Sequence, residues 1–276
     1  MNFERFQSII QYNQEHQNEL QKAIHKFYRE IGMEQSTGMG DIMKIVRPCF
    51  RRKGYLLLEM PFKDQEIGAL CYKGDVIGYT FLNSSLPKAN NHFALCHEIY
   101  HIFCQDNSFE HGIELYMDEH YYEHVEEMNA NLFAGVLLMP EITFCSMFQR
   151  FQREMTEEDS ELSIVVKLMN YYEAPYMAVL IRCYELQLLQ DGATLQMLIE
   201  ADGSCIEKEF ERMWLNEELL RPTGRDDFPK LKEMVIKTGE EYREEGIVSE
   251  KKLQKVLQKM TKIYKEIGGT ADGEKL

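Results

Sequence analysis

His97, Glu98 and His101 form a His-Glu-x-x-His pattern inside the stretch Asn91–Cys104. On a helix, residues four apart lie one turn apart on the same face, so both imidazoles can reach one cation. Glu98 projects close to that cation without having to bind it. That placement suits a general base taking a proton from an activated water. From Phe93 to Cys104 every other side chain is apolar except for the Tyr100 hydroxyl. A helix that is apolar all round is a buried one. Burying a carboxylate and two imidazoles in it is costly unless something compensates them, and a divalent metal compensates all three. The bland alternative is a core histidine pair satisfied by backbone groups.

A zinc site that does chemistry usually keeps three protein ligands and one open position. The nearby candidates for the third are Glu123, Glu126 and Glu127, with His111, His120 and His124 as imidazole alternatives. Glu127, Ala130, Asn131 and Ala134 share one helical face. The alanines leave room for a second helix to approach, and Asn131 is placed to orient a ligating histidine through its other ring nitrogen. Glu127 is therefore the expected ligand. Glu123, one turn earlier on the same face, stays open as the alternative, whereas Glu126 lies on the face of Phe133 and Leu137. Carboxylates at a helix start also favour the helix dipole, which explains Glu119 and Glu123 better than Glu127. A tetrahedral oxyanion needs a further donor; Tyr100, His120, Tyr121 and His124 are candidates that the sequence does not rank. Cys96 and Cys104 flank the motif and are expected to pack in the core.

The elements that must carry these residues are mostly helical. Leu20, Ile24, Phe27, Tyr28 and Ile31 show helical spacing within Phe3–Ile31, and Ser36–Gly40 breaks the pattern. Three strand-like runs follow at Tyr55–Met60, Gly68–Tyr72 and Val76–Leu82, the last two joined by a turn at Lys73–Asp75. Asn90 or Asn91 is the expected cap of the motif helix. A second helix is expected over Asp118–Met139 and another after Pro140. Leu162–Met169 and Pro175–Leu189 read as two helices in a helix-turn-helix-like arrangement. Beyond Gln190 the chain reads as helices ending in the amphipathic stretch Ser249–Ile267, with a disordered tail expected from Gly268.

The chain has 276 residues, 44% hydrophobic and 28% charged, within the range of soluble globular proteins. Its net charge of −15 argues against nucleic acid as the main ligand. Seven cysteines without tight spacing fit a reducing compartment better than a disulfide framework. With neither a signal-like start nor a run of ~20 apolar residues, a cytoplasmic protein without a membrane partner is expected. From Glu161 to Leu189, Glu161, Glu173 and Glu185 stand against Lys167 and Arg182. A DNA-reading helix should be basic, so this segment is expected to pack or to dock a substrate.

His97–His101, then Glu127–Ala134 and Val136–Pro140, resemble the ImmA/IrrE-type metallopeptidases. The motifs carrying the resemblance are His-Glu-x-x-His, Glu-x-x-Ala-Asn-x-Phe-Ala and Leu-Leu-Met-Pro. The match is close over Val76–Pro140 and looser to about Leu189; Tyr100 stands where family chains often have Gly. The resemblance implies that His97, His101 and Glu127 hold Zn2+ and that Glu98 is the base. It implies a compact α+β, mostly helical, zincin-like fold with a small sheet, whose edge strand Val76–Leu82 runs beside the substrate. Three parts are then expected: a metallopeptidase domain over 1–150, a helix-turn-helix-like segment over 151–190, and a helical region of unassigned role over 191–276. The implied activity is zinc-dependent endopeptidase cleavage of a protein substrate, in several members a DNA-binding helix-turn-helix repressor. The alternative is a metal-stabilised anti-repressor that acts by binding alone.

Overall fold

The computed structural model describes residues 1–32, 42–73, 78–104 and 125–268. Helix α1 (Phe3–Ile31) is opened by Asn2, whose side chain accepts from the Arg5 amide, and closed by Gly32 at φ +71°. That left-handed φ suits glycine. Phe6, Leu20, Ile24 and Phe27 bury one stripe of it. Helix α2 (Ile42–Arg52) is absent from the sequence-based reading, because Pro48 inside it argues against a helix. The burial of Val46, Cys49 and Phe50, at i, i+3 and i+4, holds it against the core.

Strands β1 (Tyr55–Met60), β2 (Ala69–Lys73) and β3 (Gly78–Asn83) form one sheet in the order β1-β3-β2. β3 pairs parallel to β1 and antiparallel to β2. The expectation that Val76–Leu82 is an edge strand is therefore corrected: β3 is central, and β2 is the edge on the side of the motif helix. The few residues between β2 and β3 in the sequence favour their antiparallel pairing, whereas the parallel β1–β3 pairing is a non-local choice that periodicity cannot show. Gly78 lies opposite Tyr55, where a Cβ would sit 2.4 Å from the tyrosine ring.

Helix α3 (Lys88–Ile99) packs against β2 and β3 and continues into a π-helical turn, Tyr100–Cys104. Its N-cap is Pro87, not Asn90 or Asn91, and Asn91 is buried within it. Helix α4 (Val125–Leu138) lies along α3. There follow α5 (Glu141–Arg153), α6 (Glu161–Tyr172), α7 (Tyr176–Glu185), α8 (Gly192–Glu200) and α9 (Gly203–Arg212). A 3-10 turn (Glu217–Leu220) leads to α10 (Phe228–Glu244) and α11 (Glu250–Ile267), which pack as a hairpin. The architecture is α+β and mostly helical. One buried cluster extends from Phe6 through Phe133 and Val165 to Leu219. The α6–α7 pair contributes Ile164, Val165, Leu168, Val179 and Leu180 to it.

The segment after Leu220 is bound to the sheet by polar contacts. Glu59 on β1 pairs with Arg47 and Arg225 and accepts from the Thr223 hydroxyl. The amides of Glu59 and Asp227 each donate to the other residue. These bonds satisfy a carboxylate buried to 5% exposure. None of the seven cysteines forms a disulfide. No single helix among the described residues is long and apolar enough to cross a membrane.

Candidate metal centre

His97 stands on the last turn of α3, His101 in the π turn and Glu127 in the first turn of α4. Fully buried Ala130 and Ala134 let α4 approach α3 closely enough to bring the three together. The Nε2 atoms of the two histidines are 3.1 Å apart. The Glu127 carboxylate places Oε2 3.0 Å from His97 Nε2 and Oε1 3.2 Å from His101 Nε2. Tetrahedral coordination with bonds of ~2.0–2.1 Å sets ligand atoms ~3.4 Å apart. The donor set thus fits a divalent cation with little adjustment, and two imidazoles with one carboxylate leave a fourth position open.

Burial pushes the Glu127 carboxyl up, but hydrogen bonds from His101 and His97 outweigh it and hold the group well below the usual carboxylate range. Asn131, one turn beyond Glu127, places Oδ1 2.9 Å from His97 Nδ1. An Nδ1–H donated to that oxygen leaves Nε2 as the ligand atom. Glu126 is exposed and outside the site. Glu123, His111, His120, Tyr121 and His124 lie outside the described residues.

Glu98 is 4% exposed, and its Oε2 is buried with no hydrogen-bond partner among the described residues. A buried acceptor of this kind, beside a cleft, is suited to receive a proton or an O–H donor. Sequence reasoning missed its neighbour on the sheet, Cys71 of β2. Burial pushes the Cys71 thiol far up, and the charge of Glu98 and a hydrogen bond to it add to the effect. The thiol therefore stays protonated, with Thr80 Oγ1 2.9 Å from its sulfur. The alternation Ala69–Leu70–Cys71 marks an inward position, but only strand pairing brings that position to Glu98.

The cleft at the site has a volume of 220 Å³; Glu98, His97 and Glu127 line one wall, and Ile67, Gly68 and Ala69 line another. Asn83 fixes this second wall: its Nδ2 donates to the carbonyls of Asp64 and Ile67, and its Oδ1 accepts from the amides of Phe62 and Ser85. Tyr100 does not line the cleft. Its ring packs 5.6 Å from that of Phe133, and its hydroxyl hydrogen-bonds Asn129. Cys96 is fully buried and Cys104 partly so, as core packing requires.

Residues 50–184 match the model of the Peptidase_M78 family, described as the IrrE N-terminal-like domain. That segment is similar to the family's domain, which supports an ImmA/IrrE-type assignment. No curated protein and no solved structure matches the chain. The IrrE N-terminal-like domain takes in α2's end, the sheet and α3 to α7, and so includes every residue of the cluster. The match supports a metallopeptidase-type function, and His97, His101 and Glu127 form a candidate metal site within the matched segment.

Proposed function

We propose that the chain is a zinc-dependent endopeptidase that hydrolyses a peptide bond in a protein substrate. The observation that carries this reading is the convergence of three ligand atoms within 4.8 Å beside the buried Glu98 carboxylate, whose Oε2 has no hydrogen-bond partner among the described residues. His97, His101 and Glu127 would hold the zinc. When bound, zinc supplies Lewis-acid polarisation of the scissile carbonyl and brings the pKa of the attacking water toward ~7. Glu98 takes the proton of that water and delivers it to the leaving amine. Asn131 keeps His97 oriented. Ile67, Gly68 and Ala69, leading into the edge strand β2, border the cleft where an extended substrate would pair with the sheet.

The substrate we propose is a helix-turn-helix transcriptional repressor, on the strength of the family resemblance. Incubation of the zinc-loaded protein with a repressor encoded beside it should yield two fragments, and Glu98→Gln should abolish them while retaining zinc. Cleavage undiminished in Glu98→Gln would remove Glu98 from the role of base. Full induction in cells carrying that variant would favour an anti-repressor acting by binding alone.

A further inference from the structure

A groove of 840 Å³ opens beside the metal cleft and shares Asn90, Phe93, Asn131 and Pro175 with it. Its volume lies within the ~300–1,000 Å³ usual for ligand sites, whereas the cleft at His97 measures only 220 Å³. The first turns of α1 form one wall of the groove, and α4 and α7 form the others. Met128, Leu132, Met177 and Ile181 present apolar surface inside it. At one end Arg182 and Glu185 pair at 2.9 Å, and Asn13 donates to Glu185. Arg182 Nη2 is nevertheless buried with no hydrogen-bond partner among the described residues, and Glu4 and Arg5 also line the groove, so charged groups accompany its apolar surface.

Gly135 on α4 gives a second, independent indication. Glycine inside a helix weakens it, and close packing against another element is the usual reason to keep one. At Gly135 a Cβ would meet nothing within 4 Å. Its position faces the open groove, where any larger side chain would occupy the space.

We propose that this groove holds the part of the polypeptide substrate that flanks the scissile bond, with an apolar side chain of that substrate packed against Phe93, Met128, Met177 and Ile181. The assignment rests on the endopeptidase reading. Continuity supports it, because Asn131 touches both His97 and the groove. Substrate selection then follows from apolar side chains near the cleaved bond, with Gly135 keeping the floor clear.

The test uses the full chain, zinc-loaded and carrying Glu98→Gln to prevent turnover, as bait for a display library of randomised twelve-residue peptides. Enriched peptides should be rich in apolar residues. They should bind at least ~10-fold more weakly when Gly135→Leu or Met177→Lys is added, a loss of ~1.4 kcal/mol. Both double variants should keep their zinc content and melting temperature. Undiminished binding to both, or no enrichment over background, overturns the groove assignment. Hydrolysis of the enriched peptides by the wild-type chain reads out the peptidase reading separately. Peptides that need Gly135 to bind yet remain intact would sustain the groove and overturn the proteolytic reading.

Discussion

Oδ1 of Asn131 lies 2.9 Å from Nδ1 of His97, on the far side of the imidazole from Glu127 and His101. The contact fixes both the ring orientation and the tautomer that offers Nε2 to a metal. Such partners typically contribute 10–100-fold to metal affinity. Asn131→Ala should therefore weaken zinc binding by roughly 10–100-fold, and Asn131→Asp should restore most of it. A competition titration against a chromophoric chelator measures the effect. An unchanged zinc affinity in Asn131→Ala would remove Asn131 from the site.

Zinc removal should destabilise the protein through Glu127. Its carboxylate is 5% exposed and faces two imidazoles. A ligand at 1,000 times its Kd stabilises the folded state by ~4 kcal/mol. Thermal unfolding with and without a chelator should show a zinc-dependent rise in Tm, and Glu127→Gln should lose most of that rise. An equal rise in the variant would show that zinc binds elsewhere.

Cys71 contacts Glu98 from the sheet, and its thiol remains protonated. Removing that donor with Cys71→Ala should lower kcat about threefold to tenfold, the equivalent of one hydrogen bond of ~1 kcal/mol. Zinc content and KM should not change, because Cys71 touches neither a metal ligand nor the groove. Cys71→Ser, which keeps a donor, should recover part of the rate. A purely structural role would instead lower the melting temperature of both variants without this split.

The proximity of His97, His101 and Glu127 is legible in the sequence because it rests on helical spacing and on two alanines, Ala130 and Ala134, that let two helices meet. Asn131 is legible for the same reason. Cys71 is not, because only the β2–β3 pairing carries it to Glu98. The place of β3 in the centre of the sheet is equally hidden, since alternation reveals a strand but not its neighbours. Helix α2 is masked by Pro48. The π turn at Tyr100–Cys104 has no signature in residue type. The region after Leu220 joins β1 through Glu59, Arg225 and Asp227, single polar residues whose pairing depends on distant parts of the chain.

Asn83 makes four hydrogen bonds, two given and two accepted, all to the backbone around the cleft wall. It is fully buried. Asn83→Ala leaves those backbone groups without their partner and should destabilise the fold by about 2–4 kcal/mol. Urea unfolding measures this, and a loss below ~0.5 kcal/mol would show that the wall holds without it. Asn83→Asp keeps the acceptors but loses the donors, so it should fall short of the wild type as well.

Asp159 joins the segment before α6 to α9. Arg212 donates to Oδ1 at 2.7 Å, while the Thr156 amide and Lys167 contact Oδ2 at 3.0 and 3.3 Å. Arg212 foremost, then the Thr156 amide, holds this carboxyl well below its usual value of 3.8. A depressed folded-state pKa contributes stability that is complete above the unfolded value and is lost as pH falls through the folded one. Asp159→Asn should therefore cost about 1–2 kcal/mol near pH 7, the lower part of the range for hydrogen bonds to charged groups, because Arg212 is partly exposed. The gap between wild type and variant should hold down to pH ~4 and close at lower pH. Urea midpoints collected from pH 7 to pH 2 provide the comparison. A gap that stays constant or widens on acidification would contradict the assignment, since Asn carries no titrating group to compensate.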